Sequence, residues 1–485
     1  MALPGLSLPG LGLQSSHIAS GSNVPNAAAQ QTARQEDLAP RTEWRFEVNF
    51  QQQYTIRILS GNAELFGVEL ASNQPYNFSG IKGAIFTWQG CRLEISGEAE
   101  SEYLGQETDY AVEWLNVHGM LETARDDAQS TPNGDGGPRV LVVGPDYVGK
   151  SSLIRSLTAW AVQSGWTPTI VNGDPREGLL APPGSMSAVT VGSWLSVEDG
   201  YGISPISGPT VSPVKAPLVY HCPYTSPTEK PEIYKSLLTR TALSVTNKLE
   251  ENALAKHSGL IIDTPGALND PRSNYATVAH IVSEFSISLI LTLGSERLSN
   301  DLIRRFSGTT AGADAIPVLR ITKPAGAAEK DAQFMKQLQN QQIRQYFFGS
   351  SKDPLNPHSH TIAFADLNIW RANSRSLTQA MNSSATMDDS DDDYAPTSSM
   401  GSSQDFERVT PSQEMLGRLV AIKFCAGSET DEVAIRDSAV MGFAYVSEVD
   451  EGKKRVRFLS PHPQRWGDRA MVWGGWPEAV VDLVG

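Results

Sequence analysis

Residues 139–152, RVLVVGPDYVGKSS, constrain this chain more tightly than any other stretch. Residues 139–143 read as a short strand. Then Gly144-Pro-Asp-Tyr-Val-Gly149-Lys150-Ser151 satisfies G-x-x-x-x-G-K-[ST] at every fixed position. Leu153, Ile154, Leu157 and Trp160 follow at helical spacing, so the loop lies where a strand enters a helix. Glycines let successive backbone N–H groups turn inward around an anion, and the helix N-terminus adds its partial positive charge. Lys150 can reach the β- and γ-phosphates of a nucleotide, and the Ser151 hydroxyl can ligate Mg²⁺. A glycine-rich turn that binds nothing would leave Lys-Ser at the helix start unexplained.

Around this loop the chain alternates strands and helices. Candidate strands are 139–143, 169–172, 218–221, 259–262, 288–293 and 317–321. Helical stretches are 151–163, 231–256, 274–284 and 329–348. This βα pattern predicts an α/β fold, a P-loop NTPase domain with a parallel sheet and its ligand at the carboxyl ends of the strands. Before it, residues 42–50 alternate strictly. Trp44, Phe46, Val48 and Phe50 face one way, and Glu43, Arg45, Glu47 and Asn49 face the other, as in a half-buried strand. Further short strands up to about residue 103, separated by turn residues, predict an N-terminal β-sandwich. A helix over 112–124 follows. After about residue 354, short strand-like runs predict a small, mostly-β C-terminal domain. The expected division is a disordered tail at 1–41, a sandwich at 42–125, a linker at 126–138, the P-loop domain at 139–353 and a C-terminal domain at 354–485. The last carries an acidic, Ser- and Thr-rich disordered insert at 374–411. Trp466, Trp473 and Trp476 read as core or lid residues.

The formal net charge of −15 argues against holding nucleic acid by bulk charge. Cys91, Cys222 and Cys425 are far apart and form no C-x-x-C pair, against a disulfide framework or zinc site. No apolar run reaches membrane-spanning length, and the first cation is Arg34, so neither a membrane span nor a secretory signal is expected.

Two acids end strands beside the loop, Asp174 in VNGDP and Asp263 in LIIDTPG. Either could hold Mg²⁺, and in a kinase such an aspartate could also accept the attacking hydroxyl's proton. The alternative for each is a turn cap. Asp-Thr-Pro-Gly also occurs in GTPases, but the nearest guanine-reading segment is Thr322-Lys-Pro-Ala325, and Ala325 cannot accept hydrogen bonds from guanine. Arg297, and beyond it Arg304 and Arg305, lie on a helical stretch from which they could close over the phosphates or simply face solvent.

At this point the chain resembles the polynucleotide 5′-hydroxyl kinase family and, within it, the fungal ATP-binding subunits of the pre-mRNA 3′-end cleavage/polyadenylation factor. TEWRFEV at 42–48, AELFGVEL at 63–70, IFTWQGC at 85–91, the phosphate loop, PGSM at 183–186, APLVY at 216–220, SERL at 295–298 and IRQYF at 343–347 carry the resemblance. It implies three domains, with the N-terminal one helping to hold the adenine of ATP. Glu43 and Lys82 match that role, and Asp146, Tyr147, Val148, Gly149, Lys150 and Ser151 match the phosphate cradle, with Ser151 and Asp174 at the metal. It implies ATP and Mg²⁺ as ligands. It implies the large scaffold subunit and other subunits of the cleavage factor as partners, only weak or indirect contact with RNA, and the nucleus as location. Catalytically competent members carry a Trp after the later strand's turn, where it stacks on an RNA base. Here that position is Ala267, and losing one stacking contact costs about 1–3 kcal/mol of RNA binding. Pro175-Arg-Glu-Gly178 also departs from the Val-Gly-Gln-Gly of active members. Both departures are similar to fungal subunits that bind ATP without turnover. The expectation is therefore an ATP-binding structural subunit of the nuclear cleavage factor, required for cleavage and polyadenylation. The alternative is an active ATP-dependent RNA 5′-hydroxyl kinase, in which Lys150, Asp174 and Arg297 would carry the chemistry.

Overall fold

The computed structural model describes residues 33–131, 134, 136–208, 210–308, 315–373, 405–429, 431–463, 466–481 and 483. The first nine strands are Arg34–Leu38 (β1), Thr42–Val48 (β2), Tyr54–Gly61 (β3), Glu64–Leu65 (β4), Val68–Glu69 (β5), Pro75–Phe78 (β6), Ile81–Thr87 (β7), Cys91–Gly97 (β8) and Ser101–Gly105 (β9). They form two packed sheets, of order β1-β8-β3-β6 and β5-β4-β7-β2-β9. Residues 34–38, expected within the flexible tail, instead pair antiparallel with β8 from Arg34 opposite Ile95 to Leu38 opposite Cys91. The segment is polar, and ion pairs of Arg34 with Glu102 and of Asp37 with Arg92 hold it. Residues 1–32 of that expectation lie outside the described residues.

The strand β2 departs from its alternation in one respect. Glu43 and Arg45 are buried along with Trp44 and Phe46, so both faces are covered at its N-terminal half. The cover is helix α1, Asp109–Ser130, and a loop near Gly326, which lies against the Arg45 side chain. Helix α1 outruns the predicted 112–124 and enters the expected linker. Trp114, Val117, Leu121 and Ala128 keep a buried stripe, each large side chain contributing about 1.5–3 kcal/mol. Arg125, also buried, pairs with Glu122 and donates to the Ser258 carbonyl at 3.0 Å.

The central sheet contains Arg139–Val143 (β10), Thr169–Asn172 (β11), Ser185–Thr190 (β12), Leu218–His221 (β13), Leu260–Asp263 (β14), Leu289–Leu293 (β15) and Val318–Ile321 (β16). Its order is β13-β12-β11-β14-β10-β15-β16. The five strands from β11 to β16 in that order are parallel, as expected, but β12 and β13 join antiparallel, so the sheet is mixed. The β12 strand was not foreseen. Its SMSAVT is short and rich in small residues, with Ser185 and Ser187 on one face, Met186 and Ala188 on the other, and both faces buried. The helices are Lys150–Gln163 (α2), Pro231–Glu251 (α3), Ala253–Ser258 (α4), Ala276–Glu284 (α5), Glu296–Phe306 (α6) and Ala332–Phe348 (α7). One hydrophobic core runs from the sandwich (Trp44, Phe46, Ile85) through Trp114 of α1 to Leu153, Leu157 and Trp160 of α2. The helix after the phosphate loop is thus packed against the N-terminal sandwich.

A fourth sheet contains His358–Ala363 (β17), Asn368–Ala372 (β18), Phe406–Val409 (β19), Leu419–Ala426 (β20), Val440–Asp450 (β21), Arg455–Ser460 (β22) and Arg469–Trp473 (β23), with the short helix Glu432–Asp437 (α8). Its order is β17-β22-β21-β20-β23-β18-β19. Residues 406–409, expected inside the disordered insert, form β19, which pairs antiparallel with β18, and Phe406 is buried. Residues 374–404 of that insert lie outside the described residues. Trp466, Trp473 and Trp476 are all buried. Trp476 reaches back to the central fold, its indole N–H donating to the Pro175 carbonyl at 3.1 Å.

Candidate nucleotide site

The strand β10 lies between β14 and β15, so the loop leaving its carboxyl end has strand ends on either side. Gly149 caps α2 at φ 95°, a left-handed conformation that favours glycine. The loop opens into a cleft with two walls. One carries Asp146, Tyr147, Gly149, Lys150, Ser151, Asp174 and Asp263. The other carries Glu43, Arg45 and Lys82 of the sandwich with Tyr110 and Trp114 of α1, and Pro324, Gly326 and Lys330 complete the rim.

Every predicted cradle residue but Val148 lines this cleft. The Val148 side chain is turned into the core, packed near Gly144 and Gly294, so only its backbone is available to the loop. The Lys150 ammonium donates to the Gly144 and Pro145 carbonyls at 2.9 and 2.6 Å. Glu43 accepts from Arg45 Nε and from the Tyr110 hydroxyl, and each carboxylate oxygen keeps a further lone pair. Lys82 pairs with Glu47 at 2.7 Å and lies 5.4 Å from the Phe334 ring centre.

The two strand-end acids are placed differently. Asp263, at the end of β14, accepts from Ser151 Oγ at 2.6 Å through Oδ2. Its Oδ1 is buried and has no hydrogen-bond partner among the described residues. Burial raises its carboxyl to about 6, against the pull of the Lys150 charge and the Ser151 hydrogen bond. Asp174 does not touch Ser151. Arg176 occupies it, with the backbone N–H and Nε on Oδ1 at 2.9 and 3.2 Å and Nη2 on Oδ2 at 2.9 Å. The same guanidinium forks onto Asp146 at 2.7 and 3.1 Å. Burial alone would raise the Asp146 carboxyl. Hydrogen bonding to Arg176 and the charges of Arg176 and Lys150 outweigh it and hold it below the ordinary range.

The residues present therefore fit a divalent cation, and they fit it at Ser151 and Asp263 rather than at Ser151 and Asp174. A buried carboxylate oxygen lacking a partner beside the loop hydroxyl is the donor set that Mg²⁺ takes, with phosphates and water supplying the rest. Among the described residues no group of three or more His, Cys, Asp or Glu side chains forms a protein-only metal cage, and Mg²⁺ does not need one.

Arg297 is not brought to the cleft. It lies on α6, 75% exposed, 3.8 Å from Asp301, and borders a separate surface hollow with Asp270 and Arg272. Arg304 pairs with Asp301, and Arg305 donates to the Asn274 carbonyl. Ala267 sits in the turn Gly266–Asn269, and the Gly266 N–H donates to Asp146 at 3.0 Å. A Cβ at Gly266 would come within 2.2 Å of the Asp146 carboxylate, so only glycine allows that approach.

Several cleft residues escaped the sequence reading. Arg45, Tyr110 and Trp114 are among them, as is the ion pair of Glu177 with Lys330 at 3.1 Å. The one signal at hand was the adjacency of Arg176 to Asp174.

Three family models match this chain. "mRNA cleavage and polyadenylation factor CLP1 P-loop" covers residues 144–349, "N-terminal beta-sandwich domain of polyadenylation factor" covers 37–128, and "Pre-mRNA cleavage complex II protein Clp1" covers 355–478. The chain is 44% identical over 481 residues to the mRNA cleavage and polyadenylation factor CLP1 of Phaeosphaeria nodorum, spanning 99% of this chain and 100% of that one. The chain belongs to the CLP1 family. The Botryotinia fuckeliana member is 41% identical over the same shares of each chain. Among solved structures, a Clp1p–Pcf11p complex matches with TM-score 0.79 and 25% identity over 92% of this chain and 98% of that one. A second, whose title describes an extended Pcf11p–Clp1p interface and ATP loss in a point mutant, matches with TM-score 0.78 at 24% identity and shares the fold. Membership makes the central domain a nucleotide-binding P-loop domain, and the sandwich and the C-terminal β-rich region are the family's own. Among the described residues no helix is long and apolar enough to cross a membrane.

Proposed function

We propose that this chain is an ATP-holding structural subunit of the nuclear factor that cleaves and polyadenylates mRNA precursors, and that it keeps its nucleotide rather than transferring a phosphoryl group. The observation that carries the reading is that the sandwich, α1 and the phosphate loop together wall one cleft. A ligand filling it touches both regions and stabilises their joined form by mass action. Glu43 and Lys82 are proposed to hold the adenine end, and residues 146–151 the phosphates. Mg²⁺ would sit at Ser151 and Asp263, where it supplies positive charge to the phosphate oxygens.

The surroundings of Asp174 support a lack of turnover. A general base must take up the proton of the incoming hydroxyl, and Arg176, which donates to both oxygens of Asp174, favours its charged form over the protonated one. Ala267 offers an RNA base no stacking face, and Arg297 points away from the cleft. The likeness to the Clp1p–Pcf11p complex supports a scaffold subunit of the cleavage factor as partner.

The test is the nucleotide content of the purified protein. Denaturation should release about one ATP per chain, identified by chromatography, and Lys150→Ala should release almost none. GTP, or no nucleotide from the wild type, would overturn the reading.

A further inference from the structure

The segment 174–178 does more than pair Asp174 with a guanidinium. Asp174 ends the connection from β11, Asp146 belongs to the phosphate loop, and both line the cleft. Arg176 spans them. All four carboxylate oxygens are taken, three by Arg176 alone and Oδ1 of Asp146 by Arg176 and the Gly266 N–H together. The Arg176 side chain is 29% exposed, and the two acids it joins, rather than Arg176 itself, line the cleft.

The bridge is also held rigidly from behind. Asn172 Nδ2 donates to the carbonyls of Asp174 and Glu177 at 3.2 and 2.9 Å. Gln339 and Gln342 of α7 bond Arg176 and Gly178, and Trp476 of the C-terminal region bonds Pro175. A forked guanidinium on two carboxylates, with its backbone anchored by two other parts of the fold, is a fastened strap rather than a solvated side chain.

We propose that Arg176 is a latch that ties the end of β11 to the phosphate loop and, by fixing these two walls of the cleft, slows exchange of the nucleotide held there. The proposal rests on the reading of the cleft as an ATP site and adds to it the residue that sets how long ATP stays.

The test uses full-length protein loaded with radiolabelled ATP and chased with excess unlabelled ATP. Arg176→Gln should release label at least about 10-fold faster than wild type, the loss expected of charge-assisted hydrogen bonds. Arg176→Lys keeps one charge but cannot fork onto both carboxylates, and should release at an intermediate rate. Because Asp146 is the other end of the strap, Arg176→Gln combined with Asp146→Asn should be no faster than the faster single variant. Equal release from wild type and both Arg176 variants would overturn the latch, as would a double variant whose acceleration is the product of the singles. A wild-type chain that takes up no labelled ATP would overturn instead the nucleotide reading beneath it.

Discussion

Asp174 and Asp263 end neighbouring parallel strands of one sheet and line one cleft, yet they do opposite things. Asp263 is bonded through one oxygen to Ser151 and keeps the other, buried, without a partner. Asp174 has both oxygens bound by Arg176. Burial raises both carboxyls, so desolvation does not distinguish them. The difference is one neighbouring guanidinium. A strand-end acid is therefore not a metal ligand by position alone. Its other partners matter, and on that ground the proposed cation site takes Asp263, with its unpartnered buried oxygen, rather than the Arg176-paired Asp174.

Removing the Lys150 ammonium should have the largest effect. Lys150 lowers the carboxyls of Asp146 and Asp263 by its charge, and Lys150→Ala should weaken ATP binding by about 100-fold in equilibrium dialysis. A loss of a few-fold would mean that the loop does not hold the phosphates. The comparison itself is sharpened by neutralising the acids one at a time. Asp263→Asn should weaken Mn²⁺ binding to the nucleotide complex by about 10- to 100-fold, read by electron paramagnetic resonance, whereas Asp174→Asn should change it by less than about 3-fold. The reverse order would restore Asp174 as the metal's ligand.

The smallest effect concerns Glu177, the third acid at this end of the cleft. The Lys330 charge beside it holds its carboxyl below the ordinary value despite burial. A folded-state pKa below the unfolded one means stability that is present above the unfolded value of 4.5 and lost as pH falls through the folded value. Glu177→Gln should therefore lower stability by about 1 kcal/mol at neutral pH. The gap to wild type should close as pH falls below 4.5 and through the lowered folded value, where the native carboxyl itself becomes neutral. A gap independent of pH in thermal melts would remove the ion pair from the account.

The phosphate loop was legible because its chemistry is written in consecutive residues: a strand, glycines, Lys-Ser and a helix. Asp263 was legible as a strand end, but its bond to Ser151 joins residues 112 apart in sequence and has no local signature. Arg176 was visible as a departure beside Asp174, while its second contact depends on how the loop folds over Asp146. Glu43 and Arg45 were placed on a wet face because alternation separates two faces without saying which is covered. Here α1 and the loop at Gly326 cover the second one, and the two charges satisfy each other there. The polar β1 and the short, small-residue-rich β12 escaped for a related reason, since each is fixed by partners rather than by its own pattern. The helix carrying Arg297 was foreseen; which way that side chain points depends on the fold around it.

The central claim is that ATP is held and its terminal phosphoryl group is not passed on. The direct measurement incubates the native protein with γ-labelled ATP and an RNA oligonucleotide bearing a 5′-hydroxyl, beside Lys150→Ala. The account predicts label retained in protein-bound ATP in the wild type and none in the RNA. Labelled RNA from the wild type, absent with Lys150→Ala, would contradict it and make the chain a kinase.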